Sequence, residues 1–146
     1  LLDSSKTKTR IILPIDFNGE LDEVGSGSLK YANYDDIKKN MICEDIGELS
    51  VNLFADIISK SKTIFWNGTV GVAENKDFAF GTEKIIDKII ENECVAIVGG
   101  GDTVTAISNY NDELINGFSH VSTGGGACLE LLSGKKLPAI EILDKS

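Results

Sequence analysis

The sequence predicts an α/β fold, a Rossmann-like three-layer domain built on a mainly parallel sheet. Three observations support this prediction. Short apolar runs alternate with amphipathic helical patterns, and two of the runs are followed by triple-glycine loops. The 146 residues are 42% hydrophobic and 25% charged, which is ordinary for a globular domain. A repeated strand-then-helix order indicates βαβ units with right-handed crossovers, and such units form parallel sheets.

Four apolar runs are the candidate strands: Ile11-Ile12-Leu13, Ile64-Phe65-Trp66, Val95-Ala96-Ile97-Val98 and 118–121. The first three are continuous rather than alternating, which is typical of strands buried on both faces of a parallel sheet. We expect all four in one mainly parallel sheet. Because a doubly wound sheet usually has more strands than this, we expect its first strands to lie in sequence that precedes Leu1. The chain begins without Met, and we therefore expect it to be a piece of a longer protein.

Helical patterns fill the intervals between the runs. Apolar stripes predict helices near 49–60, 81–92, 103–110 and 124–133. Thr82 is a candidate N-cap for the second helix, and Gly134 is expected to end the fourth. The polar stretch 18–41 contains Gly25-Ser26-Gly27-Ser28 and predicts an irregular excursion with one or two short antiparallel strands.

The charge balance excludes some function classes. A formal net charge of −9 argues against nucleic acid, whose affinity for proteins comes largely from Lys and Arg. No apolar stretch reaches the ~20 residues of a membrane helix. Since Arg10 is the only arginine, a phosphate ligand would have to be held mainly by backbone N–H groups or by cations from outside this stretch. Three cysteines without a CxxC pair indicate reduced thiols in the cytoplasm, with Cys94 and Cys128 as packing residues.

Two triple-glycine loops occupy the places where open α/β sheets bind ligands. Gly99-Gly100-Gly101-Asp102-Thr103 follows the third run, and Ser122-Thr123-Gly124-Gly125-Gly126 follows the fourth. Each opens a helix, whose unpaired N–H groups and positive end favour an anion, and glycine lets that anion approach closely. Tight turns with close strand–helix packing are the alternative for either loop alone. The pair favours a shared phosphate site.

Individual side chains refine this hypothesis. A carboxylate at Asp102 would repel phosphates unless a divalent cation such as Mg²⁺ lay between them; otherwise it only complements the helix dipole. Glu74 could accept hydrogen bonds from ribose hydroxyls, or it could be a solvated loop residue. His120, the only histidine, is better explained as a structural residue at a strand end.

A series of short motifs runs in order across nearly the whole chain. They are Leu13-Pro14-Ile15-Asp16, Asp45-Ile46-Gly47, Trp66-Asn67-Gly68 with Glu74, Phe80-Gly81-Thr82, Gly99-Gly100-Gly101-Asp102-Thr103, Ser119-His120-Val121-Ser122-Thr123-Gly124-Gly125-Gly126-Ala127, Leu129-Glu130, Gly134-Lys135 and Leu137-Pro138. This series resembles the carboxyl-terminal half of phosphoglycerate kinase. The resemblance implies a monomeric, cytoplasmic, glycolytic kinase that moves a phosphoryl group between 1,3-bisphosphoglycerate and ADP, giving 3-phosphoglycerate and ATP, with Mg²⁺.

On this resemblance, residues 1–146 are part of the carboxyl-terminal nucleotide-binding domain, and the amino-terminal domain that binds phosphoglycerate is absent. The resemblance also assigns roles to single residues. They are Glu74 for ribose, Gly68 and Val70 for the adenosine pocket, Gly100, Gly101, Asp102 and Thr103 for phosphates with Asp102 on the metal, and Gly124, Gly125 and Gly126 for the transferring phosphoryl group. Without the cations of the absent parts, we expect the fragment alone to be inactive.

Four positions depart from the family pattern. Thr69 and Glu48 stand where the family usually has proline, and Ala73 stands where it has phenylalanine. Cys43 occupies a position that is commonly glycine, which is expected to narrow or reshape the adenine pocket. Two other hypotheses therefore stay open beside the kinase fragment: a nucleotide-binding module without chemistry, and a structural remnant without a ligand.

Overall fold

Residues 9–21 and 30–143 are described in a computed structural model, and their strands form two three-stranded sheets. The strands are β1 Asp16–Leu21, β2 Lys30–Asn33, β3 Met41–Ile46, β4 Thr63–Asn67, β5 Val95–Gly99 and β6 His120–Ser122. The α-helices are α1 Glu48–Ser59, α2 Phe80–Glu91, α3 Gly101–Asn111, α4 Gly125–Leu132 and α5 Pro138–Leu143. Short 3₁₀ helices cover Tyr34–Asp36, Lys76–Phe78 and Asp112–Gly117.

The second sheet is parallel, in the order β4-β5-β6, and it confirms the α/β prediction. Its register pairs Asn67 with Gly99 and Gly99 with Ser122, which are the last residues of the three strands. The carboxyl ends of the strands are therefore level at one edge. Each of the three strands is followed by a segment that was predicted from the sequence to bind the ligand. The strand expected over 118–121 begins two residues later than predicted, at His120.

The first sheet is antiparallel, in the order β2-β1-β3, and it contains the excursion predicted for 18–41. The Gly25-Ser26-Gly27-Ser28 stretch lies outside the described residues. The strand predicted at Ile11-Ile12-Leu13 is wrong: this segment is not in a strand, and Leu13 is 69% exposed. Pro14 cannot donate to a strand ladder, and β1 starts only after it, at Asp16.

All four predicted helices are present within about two residues of their expected ends, and α5 was not predicted. The N-cap assigned to Thr82 is wrong. Ala79 occupies the cap position of α2, and Thr82 is the third helical residue, with a side chain that is 1% exposed. Gly134 does end α4, with φ of +80° and its N–H bonded to the carbonyl of Leu131.

The core lies between the parallel sheet and the helices α2 and α3. Ile86, Val98 and Ile107 are fully buried there, and each such side chain stabilises the fold by ~1.5–3 kcal/mol relative to an exposed one. Trp66 stacks on Phe118 with ring centroids 6.3 Å apart. Helix α1 packs against α2 and connects the antiparallel sheet to β4. The core thus supports the edge at which the glycine loops emerge.

The apolar stripe of α4 is not buried. Leu131 and Leu132 are 55% and 65% exposed, so the pattern predicted the helix but not its packing. In the part of the chain that the structure describes, no helix combines the length and apolar character needed to cross a membrane.

Candidate functional site

The two triple-glycine loops meet at the carboxyl edge of the parallel sheet. The N–H of Gly100 donates to the carbonyl of Ser122 over 2.9 Å, which ties the start of α3 to the end of β6. A side chain at Gly125 would bring its Cβ within 2.8 Å of the Gly100 Cα. Gly100 itself has φ of +106°, a conformation that other residues rarely adopt. Both glycines are therefore required for the loops to touch.

Asn67 lies at this junction, and the sequence analysis did not assign it a role. Its Nδ2 would be 2.6 Å from a Cβ at Gly125 and 3.5 Å from one at Gly100, so its amide contacts both loops. Its position at the end of a predicted strand is the feature of the sequence that could have identified it. Asn67 ends β4, as Gly99 ends β5, and three strand ends in register bring their last residues together.

The side chain of Thr103 forms a hydrogen bond within the protein, and its phosphate-binding role stays a prediction. Its side chain is 1% exposed, and its Oγ1 accepts a hydrogen bond from the N–H of Gly68 over 2.8 Å. The hydroxyl thus holds the end of β4 against α3. The backbone N–H of Thr103 faces no acceptor among the described residues and can still bind an anion.

The starts of α3 and α4 are open. In the parts of the chain covered by the structure, the N–H groups of the first three residues of each helix have no acceptor. Gly101, Asp102 and Gly126 are exposed there, so their N–H groups lie at the surface. Two helix ends that carry partial positive charge meet at one place, and each stabilises an anion by ~0.3–1 kcal/mol when exposed. The arrangement suits a ligand with more than one phosphate.

The starts of α1 and α2, by contrast, are closed by buried carboxylates from the antiparallel sheet. Asp16 accepts from the N–H of Leu49 over 2.9 Å and from the N–H of Ser50 over 2.7 Å. Asp45 accepts from the N–H of Gly81 over 2.8 Å. Among the described residues, the protein therefore supplies its own anions to these two helix starts and supplies none to α3 and α4.

The two buried carboxylates have opposite electrostatics. Burial acts to raise the pKa of Asp16, but the hydroxyls of Ser50 and Tyr31 and the N–H groups of α1 donate to its carboxylate, and its pKa lies below the ordinary value. Its hydrogen bond in turn raises the pKa of Tyr31 to about 12. For Asp45, burial raises the pKa, and the N–H groups of Gly81 and Ile46 only partly oppose it.

Asp102 meets the requirements of a metal ligand that works together with a substrate. It is exposed in the first turn of α3, and among residues 9–21 and 30–143 it has no hydrogen-bond or ion-pair partner. The same residues contain no group of three His, Cys, Asp or Glu side chains that could hold a metal ion alone. One free carboxylate beside a phosphate site fits Mg²⁺, which usually takes one or two carboxylates and completes its shell with phosphates and water.

Glu74 lies apart from the glycine loops. It lines a cavity of about 490 Å³ between the 73–76 turn, α2 and α3, together with Ala73, Thr82 and Tyr110. No residue of either glycine loop lines this cavity. Val70 lines a second, apolar groove beside β4. The ribose role that the resemblance gives Glu74 therefore stays a prediction, whereas the two glycine loops are in contact with each other.

The remaining candidate positions are at the surface. His120 is exposed at the first residue of β6. Glu48 and Cys43, two of the departures from the family pattern, are exposed at the start of α1 and in β3.

The other two cysteines are partly buried. Cys94 packs against the core, as predicted, and the Sγ of Cys128 lies 3.4 Å from the Ser122 hydroxyl.

Comparison with known proteins gives one consistent result. The family model described as phosphoglycerate kinase matches residues 1–135. The phosphoglycerate kinases of Helicobacter pylori (strain ATCC 700392 / 26695) and Finegoldia magna are 41% and 39% identical to the chain, over 99% of it and 36% of their own length. The solved structure of phosphoglycerate kinase from Coxiella burnetii is 38% identical and superimposes with a TM-score of 0.79, over 90% of this chain and 34% of that one.

The phosphoglycerate kinase structure from Pyrococcus horikoshii OT3 is 30% identical and gives a TM-score of 0.75 over 90% of this chain. This chain spans about a third of the length of the relatives it matches. Because the match covers almost every residue in sequence and in structure, the chain belongs to the phosphoglycerate kinase family.

Proposed function

We propose that this chain is the nucleotide-binding part of the carboxyl-terminal domain of a cytoplasmic, monomeric phosphoglycerate kinase. In the complete enzyme it would hold ADP or ATP while a phosphoryl group passes between 1,3-bisphosphoglycerate and ADP. The observation that supports this role is the contact between the two open helix starts, which leaves several free N–H groups around one surface site.

The chemistry of the site is positioning and charge stabilisation. In phosphoryl transfer the protein makes little covalent contribution, and preorganised donors stabilise the charge on the phosphoryl oxygens. The N–H groups of Gly101, Asp102 and Thr103 would bind the nucleotide phosphates. Those of Gly125 and Gly126 would face the transferring group. Asn67 can donate from its amide at the junction between them.

A magnesium ion, when bound, would neutralise phosphate charge, and Asp102 is the residue that would hold it. The exposed Asp102 carboxylate has no partner within the described ranges. Without a cation it would repel phosphates, so we expect nucleotide and metal to bind together.

The fragment by itself would bind nucleotide without turning it over. Turnover needs cations that neutralise the transferring group, and a single arginine supplied in trans or in cis can be worth ~10³–10⁵ in rate. This chain has one arginine and a net charge of −9. The charge balance is also the observation that favours the second candidate function, a binding module without chemistry.

Titration calorimetry with the purified chain tests the proposal. MgADP should bind, AMP should bind more weakly because it lacks the β-phosphate, and EDTA should weaken the binding of ADP. A coupled assay with ATP and 3-phosphoglycerate should give no turnover above the background. No binding of MgADP, or equal binding of AMP, would contradict the phosphate site. Turnover close to that of a two-domain relative would contradict the inactive fragment.

A further inference from the structure

Three buried hydroxyl residues occupy the same position in three helices. Ser50, Thr82 and Thr103 are each the third residue of their helix, in α1, α2 and α3, and each is at most 1% exposed. Each hydroxyl accepts a backbone N–H from a segment distant in sequence. Ser50 Oγ accepts from Ile15 over 2.8 Å, 35 residues away. The other two hydroxyls both accept from residues 68–72.

Residues 68–72 connect β4 to the turn that carries Glu74, and every second N–H in this segment is bonded. The N–H of Gly68 donates to Thr103 Oγ1 over 2.8 Å, and that of Val70 donates to Thr82 Oγ1 over 3.2 Å. The N–H of Val72 donates to the carbonyl of Glu44, in β3, over 2.9 Å. In the described part of the chain, no acceptor is found for the N–H of Thr69 or Gly71. Three separate elements, α3, α2 and β3, thus hold the segment in place.

We propose that Thr82 is a positioning residue for the nucleotide site. Its hydroxyl is the middle anchor of residues 68–72. One end of this segment is bonded to Thr103 beside the open start of α3, and the other leads to Glu74. Thr82 also lines the cavity that Glu74 lines. Within the described residues it forms no hydrogen bond with either glycine loop, and it acts through the segment that it holds.

The physical reason is that the middle anchor fixes the course of the chain between two ends that keep their own hydrogen bonds. With Thr82 replaced by valine, which has nearly the same shape but no acceptor, the part-buried N–H of Val70 loses its partner, and a donor shielded from water is costly to leave unpaired. The segment can then leave its path to reach water. The distance between Gly68 and Glu74 is then no longer fixed. Nucleotide binding must fix it again, and this ordering lowers the affinity.

The first test needs no ligand. Backbone amide hydrogen exchange in the parent chain should be slow at Gly68, Val70 and Val72 and fast at Thr69 and Gly71. Thr82→Val should raise the exchange rate at Val70 at least about tenfold, and Thr82→Ser, which keeps the hydroxyl, should restore it. Fast exchange at Val70 in the parent chain, or no change in the valine variant, would overturn the anchor.

The second test is the affinity for MgADP, and it rests on the proposed function. Thr82→Val should weaken binding about tenfold, and Thr82→Ser should bind like the parent chain. Ile86→Val, in the next turn of α2, loses a buried methyl group but keeps every hydrogen bond of residues 68–72, so it should leave the affinity unchanged. An unchanged affinity in Thr82→Val, or an equal loss in Ile86→Val, would overturn the positioning role.

The two failures are distinguishable. If the parent chain does not bind MgADP, the proposed function fails, and the positioning role in a nucleotide site fails with it. The exchange pattern then still decides whether Thr82 anchors the segment.

Discussion

The helix starts of this chain fall into two groups with opposite chemistry. Those of α1 and α2 are closed, because Asp16 and Asp45 reach them from the antiparallel sheet through hydrogen bonds of 2.7–2.9 Å. Those of α3 and α4 are open, with glycine at the cap and no acceptor within the described residues. The difference teaches that a helix start keeps its N–H groups available to an external anion when the described part of the protein provides no acceptor for them.

The closed starts contribute to stability, and the open starts are available for a ligand. Substitutions at the first group should therefore change the free energy of unfolding, and substitutions at the second should change ligand affinity. Three predictions test this division.

The largest expected effect is at Asp16. Asp16→Ala leaves the buried N–H of Ser50 and the part-buried N–H of Leu49 without an acceptor, and an unpaired buried donor costs ~1–3 kcal/mol. We expect the free energy of unfolding to fall by about 3 kcal/mol in urea denaturation. The matched control is Asp56→Ala on the exposed face of the same helix. Its ion pair with Lys60 is 2.6 Å long but exposed, so the change should stay within ~1 kcal/mol. If the two variants lose the same free energy of unfolding, the closed start of α1 contributes no more to stability than an exposed ion pair.

A second substitution should convert an open start into a closed one. Gly124 caps α4 with φ of −87°, and a Cβ there would meet only the Ser122 hydroxyl, at 3.6 Å. Gly124→Asp should raise stability by about a few tenths of a kcal/mol, since aspartate is a better cap than glycine. Its carboxylate would compete with phosphates, so the affinity for MgADP should fall at least about tenfold.

Gly124→Asn is the control for this substitution, because it caps the helix without a charge. It should keep most of the affinity in the same calorimetric titration. If the aspartate variant binds MgADP as tightly as the parent chain, the start of α4 does not face the nucleotide.

The smallest effects concern pH. The pKa of Asp16 is depressed, so its contribution to stability is present above the ordinary value of 3.8 and is lost as the pH falls through the lower folded value. The pKa of Asp45 is raised, so stability from this group falls as the pH rises from 3.8 through the higher folded value. Asp16→Asn should flatten the acid-side loss of stability, and Asp45→Asn should steepen it. Urea denaturation of each variant across the acid range measures how its free energy of unfolding depends on pH. If both substitutions change this dependence in the same direction relative to the parent chain, the two carboxylates do not have opposite effects.

The sequence predicted the parallel sheet and the glycine loops because the signals for them are local. Continuous apolar runs identified β4 and β5, and the glycines that follow β5 and β6 marked the edge at which the loops meet. The run at Ile11 misled the prediction, since apolar composition alone does not say where a segment is buried.

The closing carboxylates could not be predicted in this way. Asp16 and Ser50 are 34 residues apart, and Asp45 and Gly81 are 36 apart, so no periodicity within one element links them. Thr82 was assigned as a cap for the same reason. A hydroxyl near a helix start is usually explained locally, and here its partner is Val70, on another segment. The role of Asn67 likewise depends on the register between strands.

The position of Trp66 gives the site an optical reporter. It is the only tryptophan of the chain, it is 8% exposed against Phe118, and the next residue is Asn67 at the junction of the loops. All tryptophan emission therefore comes from one ring directly below the candidate phosphate site. A ligand that shifts the end of β4 would change the intensity or wavelength of this emission, so titrations can be followed without attaching a dye.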